Sequence, residues 1–126
     1  MRRAIPLVVA AVLYLAPPAR ANFGPYALAY INYGNNYLLA AFNADPITDV
    51  TIATSFQYAQ GAQQLATAAR ATGSRTYWAY ASQYAAAVYV YALQDYQANP
   101  RNTAAAYAAI YYYYGAIYAN YAAHGY

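Results

Sequence analysis

The stretch that decides the fold is Tyr107–Tyr121, YAAIYYYYGAIYANY. Tyrosine recurs at 107, 111, 114, 118 and 121, in steps of four, three, four and three. Only a helix gathers positions spaced this way onto one face, because a strand alternates faces at every residue. Tyr112 and Tyr113 are left over and point away from that seam.

The same spacing appears upstream. Tyr26, Tyr30, Tyr33 and Tyr37 form one seam, and Tyr77, Tyr80, Tyr84 and Tyr91 form another with Val88 in the gap. Helix starts are marked by Gly24-Pro25, Asp45-Pro46 and Asn99-Pro100, since proline at the first helical position loses no needed N–H. Gly73 before Ser74 gives a left-handed stop followed by a new cap. Four helices are predicted, over 25–43, 46–72, 74–98 and 100–123. Alanine, the best helix former, fills them. Their short links place sequential helices antiparallel.

The chain also matches itself at a shift of 54 residues. Tyr26, Tyr30, Tyr37, Leu39 and Pro46 fall on Tyr80, Tyr84, Tyr91, Leu93 and Pro100, and Tyr58 and Gly61 fall on Tyr112 and Gly115. The predicted fold is therefore all-α: a four-helix up-down-up-down bundle made of a duplicated helical hairpin. The first hairpin covers about 25–72 and the second about 74–126. Together they make a single domain, 22–126.

Residues 1–21, MRRAIPLVVAAVLYLAPPARA, have the layout of a cleaved secretory signal peptide. Arg2 and Arg3 open it, an apolar run of about a dozen residues follows, and Ala19-Arg20-Ala21 offers small residues for cleavage. The chain is expected to be secreted: periplasmic, at the cell surface, or extracellular. Beyond the signal, Arg70, Arg75 and Arg101 balance Asp45, Asp49 and Asp95. A nucleic-acid partner is not expected, since the basic excess belongs to the export segment.

Catalytic side chains are scarce. His124 reads as a helix-end residue and the Asp45/Asp49 pair as helix-start charges. Ser55, Ser74 and Ser82 have no base nearby in sequence, and no phosphate loop or zinc spacing is present. The expectation is a protein that is not an enzyme, with no cofactor and no metal.

Three of the helices, the first, third and fourth, are apolar on more than one side, so a second face needs cover. The tyrosine seams, Tyr26, Tyr30, Tyr33, Tyr37, Tyr80, Tyr84, Tyr91, Tyr107, Tyr111, Tyr114, Tyr118 and Tyr121, are expected to be aromatic core. Tyr112, Tyr113, Trp78, Tyr89 and Tyr96 are expected to form the self-association or binding surface. The leading expectation is a structural protein that assembles into a homo-oligomer or polymer, as a filament, coat or matrix subunit. The alternative is a binding module whose tyrosine groove takes a glycan, peptide or small aromatic ligand. A small multi-span membrane protein is the third. The glutamines of the second helix and the placement of Arg70 and Arg75 speak against it.

Overall fold

The computed structural model describes residues 22–44 and 50–126, and its secondary structure is helical. The helices are α1 (Gly24–Ala44), α2 (Val50–Thr72), α3 (Arg75–Ala98) and α4 (Thr103–Ala123). The proposed signal segment, Asp45, Pro46 and Asp49 lie outside the described residues.

The link between α2 and α3 follows local chemistry. Gly73 takes a positive φ of 72°, and its N–H donates to the Ala69 carbonyl at 2.8 Å. Ser74 then caps α3, its Oγ accepting from the Tyr77 N–H at 3.2 Å. The start of α4 differs from expectation. Pro100 is not the first helical residue; it sits in a turn in which the Asn102 N–H donates to the Asn99 carbonyl at 3.0 Å. Proline is favoured at the second position of such turns. Asn102 precedes α4 but makes no side-chain cap. Its Nδ2 instead donates to the Ala41 carbonyl at 2.9 Å, one of the last-turn acceptors of α1 that have no intrahelical partner.

The helices pack in the circular order α1, α2, α3, α4, with α4 returning against α1 and the diagonal pair α1 and α3 touching only marginally. The start of α1 lies beside the chain end, where the Phe23 N–H donates to the Tyr126 carbonyl at 3.3 Å.

The core is built from small residues. In α1 the buried line is Ala27, Ile31, Gly34, Leu38 and Ala41. In α2 it is Ser55, Ala59, Ala62, Ala66 and Ala69. In α3 it runs through Trp78, Ala81, Ala85, Val88, Ala92 and Asp95, and in α4 through Ala105, Ala108, Tyr112, Gly115, Ala119 and Ala122. In each of α1, α3 and α4 this line stands one residue after the tyrosine seam, about 100° round the helix. The expected core is thus shifted by a single position. Alanine and glycine let helix axes approach to the short end of the usual 8–10 Å range. A tyrosine at those positions would hold the axes apart and bury a hydroxyl without water, at a cost unless it found a partner.

Candidate functional site

The displaced tyrosines do not scatter over the surface. They meet across the junction of α1 and α4. Phe23 stacks on Tyr118, with centroids 5.1 Å apart and planes 11° apart. Tyr118 stacks on Tyr30 at 5.3 Å, and Tyr30 on Tyr111 at 6.0 Å. Tyr111 lies parallel to Tyr37 at 5.3 Å, and Tyr37 faces Tyr107 at 5.2 Å. Tyr26 leans on Tyr118, and Tyr33 leans on Tyr111. The result is a ladder of aromatic rings, phenols except for Phe23 just before α1, along two helices that carry no charged residue. Aromatic pairs of this kind are worth about 0.5–1.5 kcal/mol each beyond the area they bury.

The ladder turns a corner at Tyr114. Its ring contacts Tyr30 and Tyr118 on one side and Tyr113 on the other at 5.6 Å. Tyr113 in turn meets Tyr89 of α3 at 5.2 Å. Beneath them, between α3 and α4, lies a groove of about 360 Å³ lined by Tyr89, Leu93, Tyr96, Ala106, Ala109, Ile110, Tyr113 and Tyr114. A smaller cluster occupies the α2 and α3 junction, where Tyr58 meets Tyr84 edge-on and Tyr91 face-on, each at 5.7 Å.

Several placements correct the reading from sequence. Tyr26 is 57% exposed, Tyr33 54% and Tyr107 51%. Tyr80, Tyr84 and Tyr114 are exposed as well. Tyr30, Tyr37, Tyr111 and Tyr118 are half-buried, and only Tyr91 and Tyr121 of the seam residues are buried. The seams are therefore the flanks of the core and not its centre. Conversely, Tyr112 is 0% exposed and Trp78 is buried, so neither belongs to a free surface. Tyr113 is exposed, while Tyr89 and Tyr96 are half-buried at the groove.

Tyr112 is the one fully buried ring among the described residues. It lies against Gly34, where an added Cβ would come within 2.5 Å of the ring. Its hydroxyl donates to Asn35 Oδ1. Asn35 Nδ2 donates to Gln63 Oε1 at 3.3 Å, and Gln63 Nε2 donates to Asn32 Oδ1 at 3.2 Å. A polar relay thus ties α4 through α1 to α2 and reaches solvent.

Burial pushes the Tyr112 phenol far above its ordinary value of 10.0. Tyr118 is also raised, first by desolvation and then by Tyr30, Tyr114, Tyr121 and Tyr26 around it. A raised folded-state value means that stability is fully present below the unfolded value and is lost as pH climbs above it. The expected result is a fall of about 1.4 kcal/mol per pH unit above pH 10 for a fully protected phenol. Urea titrations at stepped alkaline pH check this, and Tyr112→Phe should flatten the slope. An unchanged slope would mean that Tyr112 ionises freely in the fold.

Two further polar side chains make contacts within the fold. Ser82 Oγ donates to the Ala116 carbonyl at 2.8 Å, joining α3 to α4. His124 caps α4, with Nδ1 2.8 Å from the Asn120 carbonyl. Among the described residues no group of three or more His, Cys, Asp or Glu could hold a metal ion. No helix of the described residues is long and apolar enough to cross a membrane, so the multi-span expectation lacks its spanning elements there.

Fold and surface together define an all-helical, alanine-cored protein with an uncharged tyrosine face. Comparison with known proteins gives no match: no family model, no curated protein and no solved structure is significantly similar to this chain.

Proposed function

We propose that the chain is an exported, non-enzymatic structural protein that associates with copies of itself through the α1 and α4 tyrosine face. The fold proposed with it is an up-down-up-down bundle formed by a duplicated hairpin after a cleaved signal peptide. Contacts between opposite ends of α1 and α4 support the topology. The repeat is supported by matching close approaches. Gly61 of α2 packs on Tyr84 of α3, and 54 positions on, Gly115 of α4 packs on Tyr30 and Ile31 of α1.

One observation carries the functional reading: the rings at the α1 and α4 junction form one connected, partly exposed surface on two uncharged helices. Soluble monomers rarely leave large contiguous apolar patches uncovered. Tyrosine is enriched where protein surfaces meet, because its ring gives apolar area and its hydroxyl tolerates a wet rim. The near-zero charge beyond the signal segment removes the repulsion that keeps copies apart.

Size-exclusion chromatography with light scattering tests it. The exported chain should form oligomers that grow with concentration. Tyr33→Ser, Tyr107→Ser and Tyr114→Ser together should weaken association while leaving helical circular dichroism unchanged. At about 1 kcal/mol per truncated contact, the combined change is roughly a hundredfold in Kd. A clean monomer at high concentration sinks the proposal.

The groove between α3 and α4 supports the second reading, a binding module for a glycan, peptide or small aromatic ligand. Its volume suits a small ring-bearing ligand and its walls are apolar with phenol tips. A monomer whose tyrosine fluorescence responds to such ligands would favour this reading over assembly.

A further inference from the structure

Tyrosine dominates the oxidisable side chains of this protein. There is no cysteine, the only methionine is Met1, and the only tryptophan, Trp78, is buried. A one-electron oxidant at the described surface therefore meets phenols. On α1 and α4 these phenols stand as facing pairs on different helices. Tyr37 and Tyr107 are 5.2 Å apart and tilted by 31°. Tyr33 and Tyr111 are 5.6 Å apart and tilted by 50°.

Distance decides between them, because the unpaired electron of a phenoxyl radical lies in the ring's π system and coupling needs two ortho carbons brought together; Tyr37 and Tyr107 are the nearer pair. Tyr37 and Tyr111 are 5.3 Å apart, but Tyr111 is half-buried. Tyr107 is exposed, so its hydroxyl proton can leave to water as its electron is removed. Tyr112 cannot serve, since it is sealed in the core with its hydroxyl held by Asn35.

We propose that the α1 and α4 face is an oxidative stapling site, at which a peroxidase-class oxidant using hydrogen peroxide couples Tyr37 to Tyr107. Each phenol gives one electron to the oxidant and one proton to water, leaving two phenoxyl radicals. The radicals join through their ortho carbons. Each ortho proton then moves to its own ring oxygen and restores the phenol. Two hydrogens leave the protein in all, and one hydrogen peroxide becomes two waters. The staple ties the first described helix to the last. Both rings belong to one chain, so the inference stands apart from the proposed self-association. Constraining a loop this long in the unfolded chain stabilises the fold, as a disulfide does.

The test treats the purified chain, in dilute solution, with a peroxidase and hydrogen peroxide. Heavy and light isotope-labelled chains are mixed beforehand. Trypsin, cutting after arginine, should release Asn22–Arg70 of the exported chain joined to Asn102–Tyr126, lighter by two hydrogens and carrying a single isotope label. Dityrosine fluorescence should appear and the melting midpoint should rise. Tyr37→Phe and Tyr107→Phe should each remove most of the product while leaving helicity intact. Three outcomes overturn the assignment. The main product could join Thr76–Arg101 to Asn102–Tyr126, which is the Tyr89 and Tyr113 pair. The cross-links could carry mixed isotope labels. Or Tyr107→Phe could leave the yield unchanged.

Discussion

Tyr112→Ala is expected to remove about 3–5 kcal/mol of stability, the range for truncating a large buried aromatic ring. A domain of this size holds only about 5–15 kcal/mol in total, so the variant should melt far below the parent or fail to fold. Three losses combine. The ring is fully buried, so its apolar contacts vanish and a cavity opens over Gly34. Asn35 Oδ1 loses its donor, and the relay to Gln63 and Asn32 loses its anchor in α4. Tyr112→Phe isolates the last two terms and should cost about 1 kcal/mol, the net worth of a hydrogen bond. Tyr113→Ala, next in sequence but exposed, should change stability by less than about 1 kcal/mol. Urea denaturation of the three variants is the measurement. If Tyr112→Ala and Tyr113→Ala proved equally mild, Tyr112 would not be the ring that fills the core.

That contrast marks where the sequence is legible and where it is not. Helical periodicity, the capping Ser74 and the left-handed Gly73 could all be read from residue types, because each depends on neighbours within a turn. The choice of buried face could not be read from periodicity. In α1 the lines Tyr26, Tyr30, Tyr33, Tyr37 and Ala27, Ile31, Gly34, Leu38 have the same spacing and lie one residue apart. Hydrophobic bulk favours the first line, and it is the one left on the flank. What decides is the partner helix: an alanine face accepts close approach, while a phenol wants its hydroxyl in water. The signal was present in the composition of the second line. Ala27, Gly34 and Ala41 in α1 and Ala105, Ala108, Gly115 and Ala119 in α4 make small-residue tracks, broken by Ile31 and Leu38 in the first and by Tyr112 in the second. The same logic explains why Trp78 and Tyr112 were expected on the surface. Each interrupts a small-residue line, and nothing local to α3 or α4 announces the space opposite that receives it. For Tyr112 that space is made by Gly34, which lies 78 positions earlier in the chain.

Gly34 is therefore the second position where a small change should have a large effect. Alanine is a better helix former than glycine by about 0.8–1.0 kcal/mol, so Gly34→Ala would stabilise an isolated α1. In the fold its Cβ would stand 2.5 Å from one ring carbon of Tyr112 and 2.6 Å from the next. The ring has no room to retreat, being wholly buried and held at its hydroxyl. Overpacking of this kind costs about 1–3 kcal/mol, and a locked aromatic places the value at the upper end, so a net loss of about 2 kcal/mol is expected. Gly61 offers the control. A Cβ there would also strike a tyrosine ring, that of Tyr84, but Tyr84 is 38% exposed and can swing toward solvent. Gly61→Ala should stay within about 1 kcal/mol of the parent, as the helix-propensity gain offsets a weakened edge-on contact with Tyr58. The decisive measurement is the pair Gly34→Ala with Tyr112→Ala. Once the ring is gone the new methyl meets a cavity, so the double variant should be no less stable than Tyr112→Ala alone. That is a coupling of about 2 kcal/mol or more between two residues on different helices. Simple additivity of the two losses would show that Gly34 does not owe its place to Tyr112.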